Sequence, residues 1–168
     1  SNSWLITLED ITTRLRSEQR IAHLSHHDQL TGLPNRQTLI ETLDQRLPLV
    51  DLRQGKLALV NLDIQRFKDI NDTYGNAVGD EVLCLLAQNL RKILKPDELI
   101  ARIGGDEFAC ITPYRNAGSL QDFIQRVMPA INLPLELDDA SIQLQASLGI
   151  AVYPQDASDR EKLLSNAN

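Results

Sequence analysis

The sequence predicts a mixed α/β fold of the α+β type, in which helices pack on an antiparallel sheet. Two observations favour this class: stretches in which apolar residues recur every three or four positions, and shorter apolar runs that end at glycine or turn residues. The composition indicates an ordered globular protein, since 168 residues with 42% hydrophobic and 24% charged side chains suffice to bury a core. We therefore expect one globular domain with a short appendage.

The net charge of the chain argues against some classes of binding partner. The 17 Lys and Arg residues against 23 Asp and Glu residues give a net charge of −6. Because nucleic acids and anionic membranes are normally bound by an excess of Lys and Arg, we expect no polymeric nucleic acid partner. No apolar stretch approaches the roughly 20 residues of a membrane span, and no cleavable signal pattern opens the chain. We expect a cytoplasmic location, although the parent protein can be membrane-anchored.

Residues 1–27 are predicted to form a connector that precedes the domain. Residues 9–27 are charged and rich in helix formers, with a stripe at alternating three- and four-residue steps that is apolar only in its first half. This pattern is typical of an N-terminal connector helix that pairs weakly with a copy of itself; the alternative is a solvated helix packed on its own domain. The domain is assigned to residues 28–168.

Residues 28–36, at the start of the domain, contain Gly32, Pro34 and Asn35, which are typical of turns. Four apolar residues then share one face of a predicted helix over 37–47, which Pro48 is expected to end: Leu39, Ile40, Leu43 and Leu47.

A buried strand and a long helix are predicted next. The apolar run at 56–63 follows a glycine and ends at Asp63, which indicates a buried strand. A loop or short helix continues through Gly75. Residues 79–94 carry apolar side chains at helical spacing, and Pro96 ends this helix.

The remaining residues predict a hairpin, a helix and a strand. Two short strands, at 99–103 and 106–112, are joined by a Gly-Gly turn. A helix over 118–130 and a strictly alternating strand over 142–152 follow. The order from residue 56 is strand, helix, strand, strand, helix, strand. This is the ferredoxin-like βαββαβ arrangement, an antiparallel sheet with helices on one face.

A candidate site follows from this topology. We expect the first and second strands to lie near each other in the middle of the sheet, which brings Asp63 close to Asp106 and Glu107. Three converging carboxylates repel one another unless a cation joins them, and Mg²⁺ or Mn²⁺ prefers such oxygen ligands. Gly104 and Gly105 leave the backbone open to a phosphate. The combination suggests phosphoryl or nucleotidyl transfer.

Each of these features also has a purely structural explanation. Gly-Gly-Asp-Glu is a common hairpin tip, and an aspartate at the end of a strand often caps the next turn. The joint pattern is what favours a functional site.

The motifs together resemble one known family. Residues 102–108 (Arg-Ile-Gly-Gly-Asp-Glu-Phe) resemble the signature of GGDEF-type diguanylate cyclases. Residues 28–36, 62–75 and 147–154, together with the Gly-Asp pair at 79–80, resemble other motifs of that family in the same order. The resemblance runs from about residue 26 to the end of the sequence and implies a nucleotide cyclase-like palm fold, within a larger sensor protein.

The resemblance implies an activity and a metal site. Members of the family condense two GTP molecules into cyclic di-GMP and release pyrophosphate. The metal, Mg²⁺ or Mn²⁺, would be held by Asp63, by the backbone carbonyl of Ile64, and by Asp106 and Glu107. Asp106 and Glu107 occupy the catalytic acidic positions, and Asp106 could take the proton from the attacking 3′-hydroxyl.

The resemblance also assigns residues to the substrate. Asn71 and Asp80 match the residues that recognise guanine, since an amide and a carboxylate complement its edge. Lys68 and the amides around Phe67 would hold the β- and γ-phosphates, although Lys68 also fits a solvated surface lysine. The other substrate-binding positions in the signature are Arg102, Gly104 and Gly105.

A symmetric product implies two facing half-sites, and hence a two-fold homodimer. Residues 4–12 resemble the closing strand of a PAS sensor domain, which implies an upstream sensor in the same chain. A downstream phosphodiesterase domain is a further expected partner. The alternative function is a non-catalytic GTP-binding or dimerisation module that regulates such a domain.

Several positions depart from the family pattern. Gln65 stands where a second aspartate is usual, and Asn76 stands where histidine is frequent. Lys95 and Glu98 replace the Arg-x-x-Asp of the inhibitory product site; since lysine lacks a planar fork, we expect no strong product inhibition there. The family continues beyond residue 164 into a helix with basic residues, so we expect the domain to be incomplete at its C-terminus.

Overall fold

The structure is a computed structural model that describes residues 26–138, 140–157 and 159–167. The connector predicted over residues 1–27 therefore lies almost wholly outside the described residues. Within the described ranges, no helix has the length and apolar character needed to cross a membrane.

Helices and strands follow the predicted order. The helices are α1 (Arg36–Leu52), α2 (Phe67–Tyr74), α3 (Asn76–Ile93), α4 (Ala117–Asn132) and α5 (Arg160–Ala167). The strands are β1 (Lys56–Ile64), β2 (Leu99–Gly104), β3 (Glu107–Tyr114), β4 (Leu135–Glu136), β5 (Ser141–Ile142) and β6 (Ala146–Tyr153).

The central sheet has the strand order β2-β3-β1-β6, and every neighbouring pair is antiparallel. This confirms the ferredoxin-like βαββαβ arrangement. The expected position of the second strand is wrong, however, because β2 lies at the edge and β3 pairs with β1. Because β3 pairs with β1 on one side and with β2 on the other, the glycine turn between β2 and β3 lies next to the end of β1.

Helices cover both faces of the sheet, whereas the sequence predicted helices on one face. One core contains side chains of α3 and α4, among them Leu83 and Phe123, together with Val60 of β1. The other core lies against α1 and α5 and includes Leu43 and Leu163. The reason is visible in β1, whose residues 57–60 are all buried, so that both faces of the strand need an apolar layer.

The sequence predicted that Pro48 ends the first helix, and this prediction is wrong. α1 continues to Leu52, with Pro48 in its interior. Pro48 is exposed, so its ring lies on the solvent side of the helix, where water can replace the missing backbone donor.

The strand predicted over 142–152 is interrupted. Ser141–Ile142 pairs with Leu135–Glu136 in a separate two-stranded ribbon, and Ala146–Tyr153 belongs to the central sheet. Ile142 and Leu144 are nonetheless both buried, so the apolar alternation continues through the break. Alternation alone therefore could not locate the point at which the backbone changes partners.

Candidate active site

Two of the predicted acidic residues face each other across the central ladder. Asp63, near the end of β1, pairs with Glu107, the first residue of β3. Paired residues on neighbouring strands share a face of the sheet, and both side chains are exposed. The Ile64 amide donates to the Asp106 carbonyl at 3.1 Å, which fastens the glycine turn to the end of β1. The structure therefore brings Asp63, Asp106 and Glu107 to the same end of the central strands β1 and β3, which we call the acidic edge.

The electrostatics at this edge favour a cation. Partial burial raises the pKa of Asp63, and the charge of Asp106 raises that pKa further. The described residues contain no group of three or more His, Cys, Asp or Glu side chains placed to share a metal. Asp63, Asp106 and Glu107 therefore lie at the same strand ends without forming such a group.

The Asp63 and Asp106 pair still fits Mg²⁺. This ion is usually bound in proteins by one or two carboxylates, with substrate phosphates and water completing the shell. Two carboxylates that repel each other provide the donor chemistry and the uncompensated charge that such an ion needs. The side chain of Ile64 is buried, so only its backbone is available to a ligand at this edge.

The glycine turn between β2 and β3 is open toward solvent. A Cβ atom built on Gly104 or on Gly105 would meet no other atom within 4 Å. Gly105 has a φ of +46°, a conformation that side chains rarely adopt. The ladder also shifts register between Arg102 and Gly104, and such an irregularity re-aims a strand end. The backbone here is accessible to a ligand phosphate.

The Arg102 side chain is hydrogen-bonded to this turn and to Asp28. Its Nε and Nη2 donate to the Gly105 carbonyl at 3.1 and 2.9 Å, and its Nη1 donates to Asp28 Oδ1 and Oδ2 at 3.0 and 3.1 Å. All three nitrogens thus have protein partners. The contact of Arg102 with substrate remains a prediction, and the structure adds a positioning role.

Asp28 is a supporting residue to which the sequence reasoning gave no role. It accepts hydrogen bonds from the amide and the hydroxyl of Thr31 at 2.9 and 2.7 Å. Burial alone would raise the pKa of Asp28, but the hydrogen bonds from Thr31 and Arg102 and the charge of Arg102 outweigh it and lower the pKa. The Asp-x-x-Thr spacing, typical of a turn in which Asp bonds the backbone ahead, was the available signal.

The predicted guanine-binding residues lie where α2 meets α3. A Cβ atom built on Gly79 would lie 1.7 Å from Asn71 Oδ1 and 3.3 Å from Phe67 Cζ. Asn71 can therefore lie against α3 only because position 79 has no side chain. Asp80 follows directly and is exposed. The structure thus brings Asn71 and Asp80 to the same corner.

The predicted phosphate-binding residues begin α2. Arg66, just before this helix, has left-handed backbone angles, with φ 56° and ψ 33°. The first amides of a helix have no acceptor within it, so those of Phe67 and Lys68 remain available to an anion. The Lys68 side chain is exposed.

A comparison with protein families identifies this arrangement. A family model described as "Diguanylate cyclase, GGDEF domain" matches residues 25–168. The chain belongs to the GGDEF family. This confirms the resemblance found in residues 102–108.

Relatives of this GGDEF domain have more than one named activity. It is 36% identical to the diguanylate cyclase TpbB of Pseudomonas aeruginosa over 99% of the chain and 39% of TpbB. It is 34% identical to the cyclic di-GMP phosphodiesterase NbdA of the same organism, over 88% of the chain and 19% of NbdA. The chain therefore spans about two fifths of the length of TpbB and about a fifth of the length of NbdA.

The fold agrees with a solved GGDEF structure. The isolated GGDEF domain of TpbB, also named YfiN, superposes with a TM-score of 0.80 at 35% identity, and the match covers 84% of each chain. The palm-type fold predicted from the motifs is thus shown.

Two departures from the family pattern have defined places in this GGDEF domain. Gln65 Nε2 donates to Ser147 Oγ on β6 at 2.8 Å, beside the acidic edge. Asn76 is the first residue of α3 and is exposed.

The segment at the inhibitory-site position forms an internal ion-pair network. The Glu98 side chain is 2% exposed, and Arg126 donates to its two oxygens at 2.8 and 2.7 Å. Thr112 and the Lys95 amide donate to the same carboxylate at 2.8 and 2.9 Å. Burial alone would raise the pKa of Glu98, but these hydrogen bonds and the charge of Arg126 lower it. Lys95 Nζ instead lies 3.5 Å from Asp122.

Proposed function

We propose that this GGDEF domain is a diguanylate cyclase that condenses two GTP molecules into cyclic di-GMP with release of pyrophosphate. The observation that carries the proposal is the Asp63 and Asp106 pair beside an open glycine turn. An uncompensated negative pair suits a divalent metal, and the bare backbone beside it suits the phosphates that share that metal.

The binding roles follow from position. Asp63 and Asp106 would hold Mg²⁺ or Mn²⁺ together with the Ile64 carbonyl, and Glu107 would contribute from the opposite strand. The bound metal would supply positive charge against the charge that develops on the transferring phosphoryl group. Lys68 and the first amides of α2 would orient the β- and γ-phosphates.

The chemical step needs an acceptor for one proton. The 3′-oxygen of one GTP forms a bond to the α-phosphorus of the other, and the bond from that phosphorus to the β-phosphate oxygen breaks, which releases pyrophosphate. Asp106 would accept the proton of the attacking 3′-hydroxyl. The same transfer in the opposite direction closes the ring.

Specificity for guanine would come from Asn71 and Asp80. A carboxylate accepts hydrogen bonds from the N1–H and 2-amino groups of guanine, which adenine does not present in that arrangement. Since each domain would hold one GTP, the reaction needs two domains facing each other in a two-fold homodimer. In the parent protein we place this pair in the cytoplasm, under the control of an upstream sensor domain.

A non-catalytic GTP-binding module is the second candidate. It is favoured by the similarity to NbdA, a protein named for phosphodiesterase activity, and by Gln65 and Asn76 at positions where the family usually has Asp and His. Such a module would bind GTP and regulate an attached phosphodiesterase domain.

One assay separates the two candidates. The full-length parent is incubated with GTP and Mg²⁺, and cyclic di-GMP is measured. Product formation that Asp106→Ala abolishes supports the cyclase. Tight GTP binding without product supports the regulatory module, and near-normal turnover in Asp106→Ala would show that another group does this chemistry.

A further inference from the structure

A cavity of about 750 Å³ lies at the end of the central sheet remote from the candidate active site. It is lined by the end of α1, the start of β1 and the end of β3. Lys56 and Tyr114, which pair there, stand seven ladder positions from Asp63 and Glu107, or roughly 23 Å. Ligand pockets in proteins typically have volumes of about 300–1,000 Å³.

Positive charge surrounds this cavity, although the chain as a whole has a net charge of −6. Four lining residues are cationic, namely Arg46, Arg53, Lys56 and Arg115, and one, Asp97, is acidic. Arg53, Lys56 and Arg115 are exposed, so water screens their mutual repulsion, but together the four cations make a positive rim that attracts an anion.

These cations have little neutralising charge within the protein. Arg46 Nη1 donates to the Asp97 backbone carbonyl at 2.8 Å, and Lys56 Nζ lies 3.4 Å from Gln155 Oε1; both acceptors are neutral. The Arg115 and Asp97 ion pair is long, at 4.0 Å, and the Arg115 side chain is 80% exposed. The rim therefore retains positive charge for a ligand.

The walls of the cavity are apolar. Leu49, Val50, Leu57 and Tyr114 line it. Leu49 is 52% exposed, so this leucine offers surface that the domain itself does not cover. Apolar walls with a few charged groups at the rim are typical of sites for organic ligands with an ionic end.

We propose that this cavity binds a phosphate monoester of an apolar or aromatic alcohol. The doubly charged phosphate would lie among the rim cations, since guanidinium groups match phosphate geometry in a bidentate way. The apolar body would pack on Leu49, Val50 and Tyr114. A carboxylate would satisfy less of the rim charge, and inorganic phosphate would leave the walls uncovered.

The test is a titration of the 168-residue chain, without metal, followed by backbone amide NMR. Three probes are used: phenyl phosphate, benzoate and inorganic phosphate. We expect phenyl phosphate to shift the amides of Val50, Gly55 and Tyr114 and not that of Gly105. Its affinity should exceed that of the other two probes at least about tenfold, or 1.4 kcal/mol. Equal affinities, or shifts centred on Gly105, would overturn the proposal.

Charge-reversal variants locate the site independently. Arg53→Glu and Lys56→Glu should each weaken phenyl phosphate binding at least about tenfold. Lys92→Glu makes the same charge change at an exposed position of α3 and should leave binding unaltered. An equal loss in Lys92→Glu would reduce the effect to overall charge and refute the proposal. Where a reversal prevents folding, Arg53→Gln and Lys56→Gln replace it, with a smaller loss expected in the same direction.

Discussion

The guanidinium of Arg102 and the carboxylate of Asp28 form an ion pair, with Nη1 3.0 Å from Oδ1. The two side chains are 14% and 20% exposed, so the pair is shielded from water. Because Arg102 also donates to the Gly105 carbonyl, it joins the first turn of the domain to the glycine turn. The position of the candidate active site thus depends on a residue at the start of the domain.

Replacing Arg102 should loosen both turns. Arg102→Ala leaves the Asp28 carboxylate and the Gly105 carbonyl without this partner, and we expect a loss of about 1–3 kcal/mol in the free energy of unfolding. Urea unfolding of this variant, of Asp28→Ala and of the double variant measures the coupling between the two residues. Arg115→Ala, at a side chain that is 80% exposed, is the matched control and should change stability by less than about 0.5 kcal/mol. Strictly additive losses would contradict the coupling.

Stability should fall in acid through two carboxylates. The folded protein lowers the pKa values of Asp28 and Glu98 below their ordinary values of 3.8 and 4.5. Each group therefore contributes stability that is complete above its unfolded-state pKa and is lost as the pH falls through its folded-state pKa. Unfolding free energies measured from about pH 7 down to about pH 3 should decrease, and less steeply in Asp28→Asn and Glu98→Gln. An unchanged slope in both variants would show that other groups govern the acid response.

The acidic edge could be predicted from the sequence because strand ends determine it. An apolar run that ends at Asp63 and a hairpin tip at Asp106 place both residues at one sheet edge whenever the strands pair. The sequence could not provide the partner of Arg102, since Asp28 lies 74 positions away and no periodicity links the two. Side-chain partners of that kind depend on tertiary packing.

The break between β5 and β6 and the basic cavity were not predicted from the sequence. The apolar alternation continues through residues 143–145, where the backbone leaves the ladder, so the break had no signature in the pattern. The basic cavity was not predicted either, because its cations come from α1, β1 and the segment after β3, which are separate in sequence. Only the packed structure brings them together.

Gly79→Ala should weaken GTP binding. In a helix, alanine is favoured over glycine by about 1 kcal/mol, but here the added Cβ would lie 1.7 Å from Asn71 Oδ1, so the amide must move. We expect the dissociation constant for GTP to rise at least about tenfold, which isothermal titration measures. Gly55→Ala is the control, since its Cβ would meet Val50 O at an ordinary 3.8 Å. Unchanged GTP affinity in Gly79→Ala would show that Asn71 does not bind the base from this position.

Asp63→Asn should remove the response to divalent metal without unfolding the domain. Asp63 and Asp106 repel each other, so neutralising one should leave the metal-free melting temperature unchanged or higher. Mg²⁺ or Mn²⁺ should raise the melting temperature of the wild-type chain by binding the folded state, and not that of Asp63→Asn. Asp72→Asn, at an exposed position of α2, is the matched control. A full metal response in Asp63→Asn would place the metal elsewhere.

The Glu98 and Arg126 ion pair predicts that a parent protein with cyclase activity is only weakly inhibited by its product. The two oxygens of Glu98 already accept four hydrogen bonds, from Arg126, Thr112 and the Lys95 amide, so this carboxylate is not available to a cyclic dinucleotide. Lysine also lacks the fork that binds phosphate or guanine through two hydrogen bonds. We expect the initial rate of the parent enzyme to be little affected by micromolar cyclic di-GMP, and Lys95→Ala to behave like wild type. Strong inhibition that Lys95→Ala abolishes would show that the product opens this network and binds there.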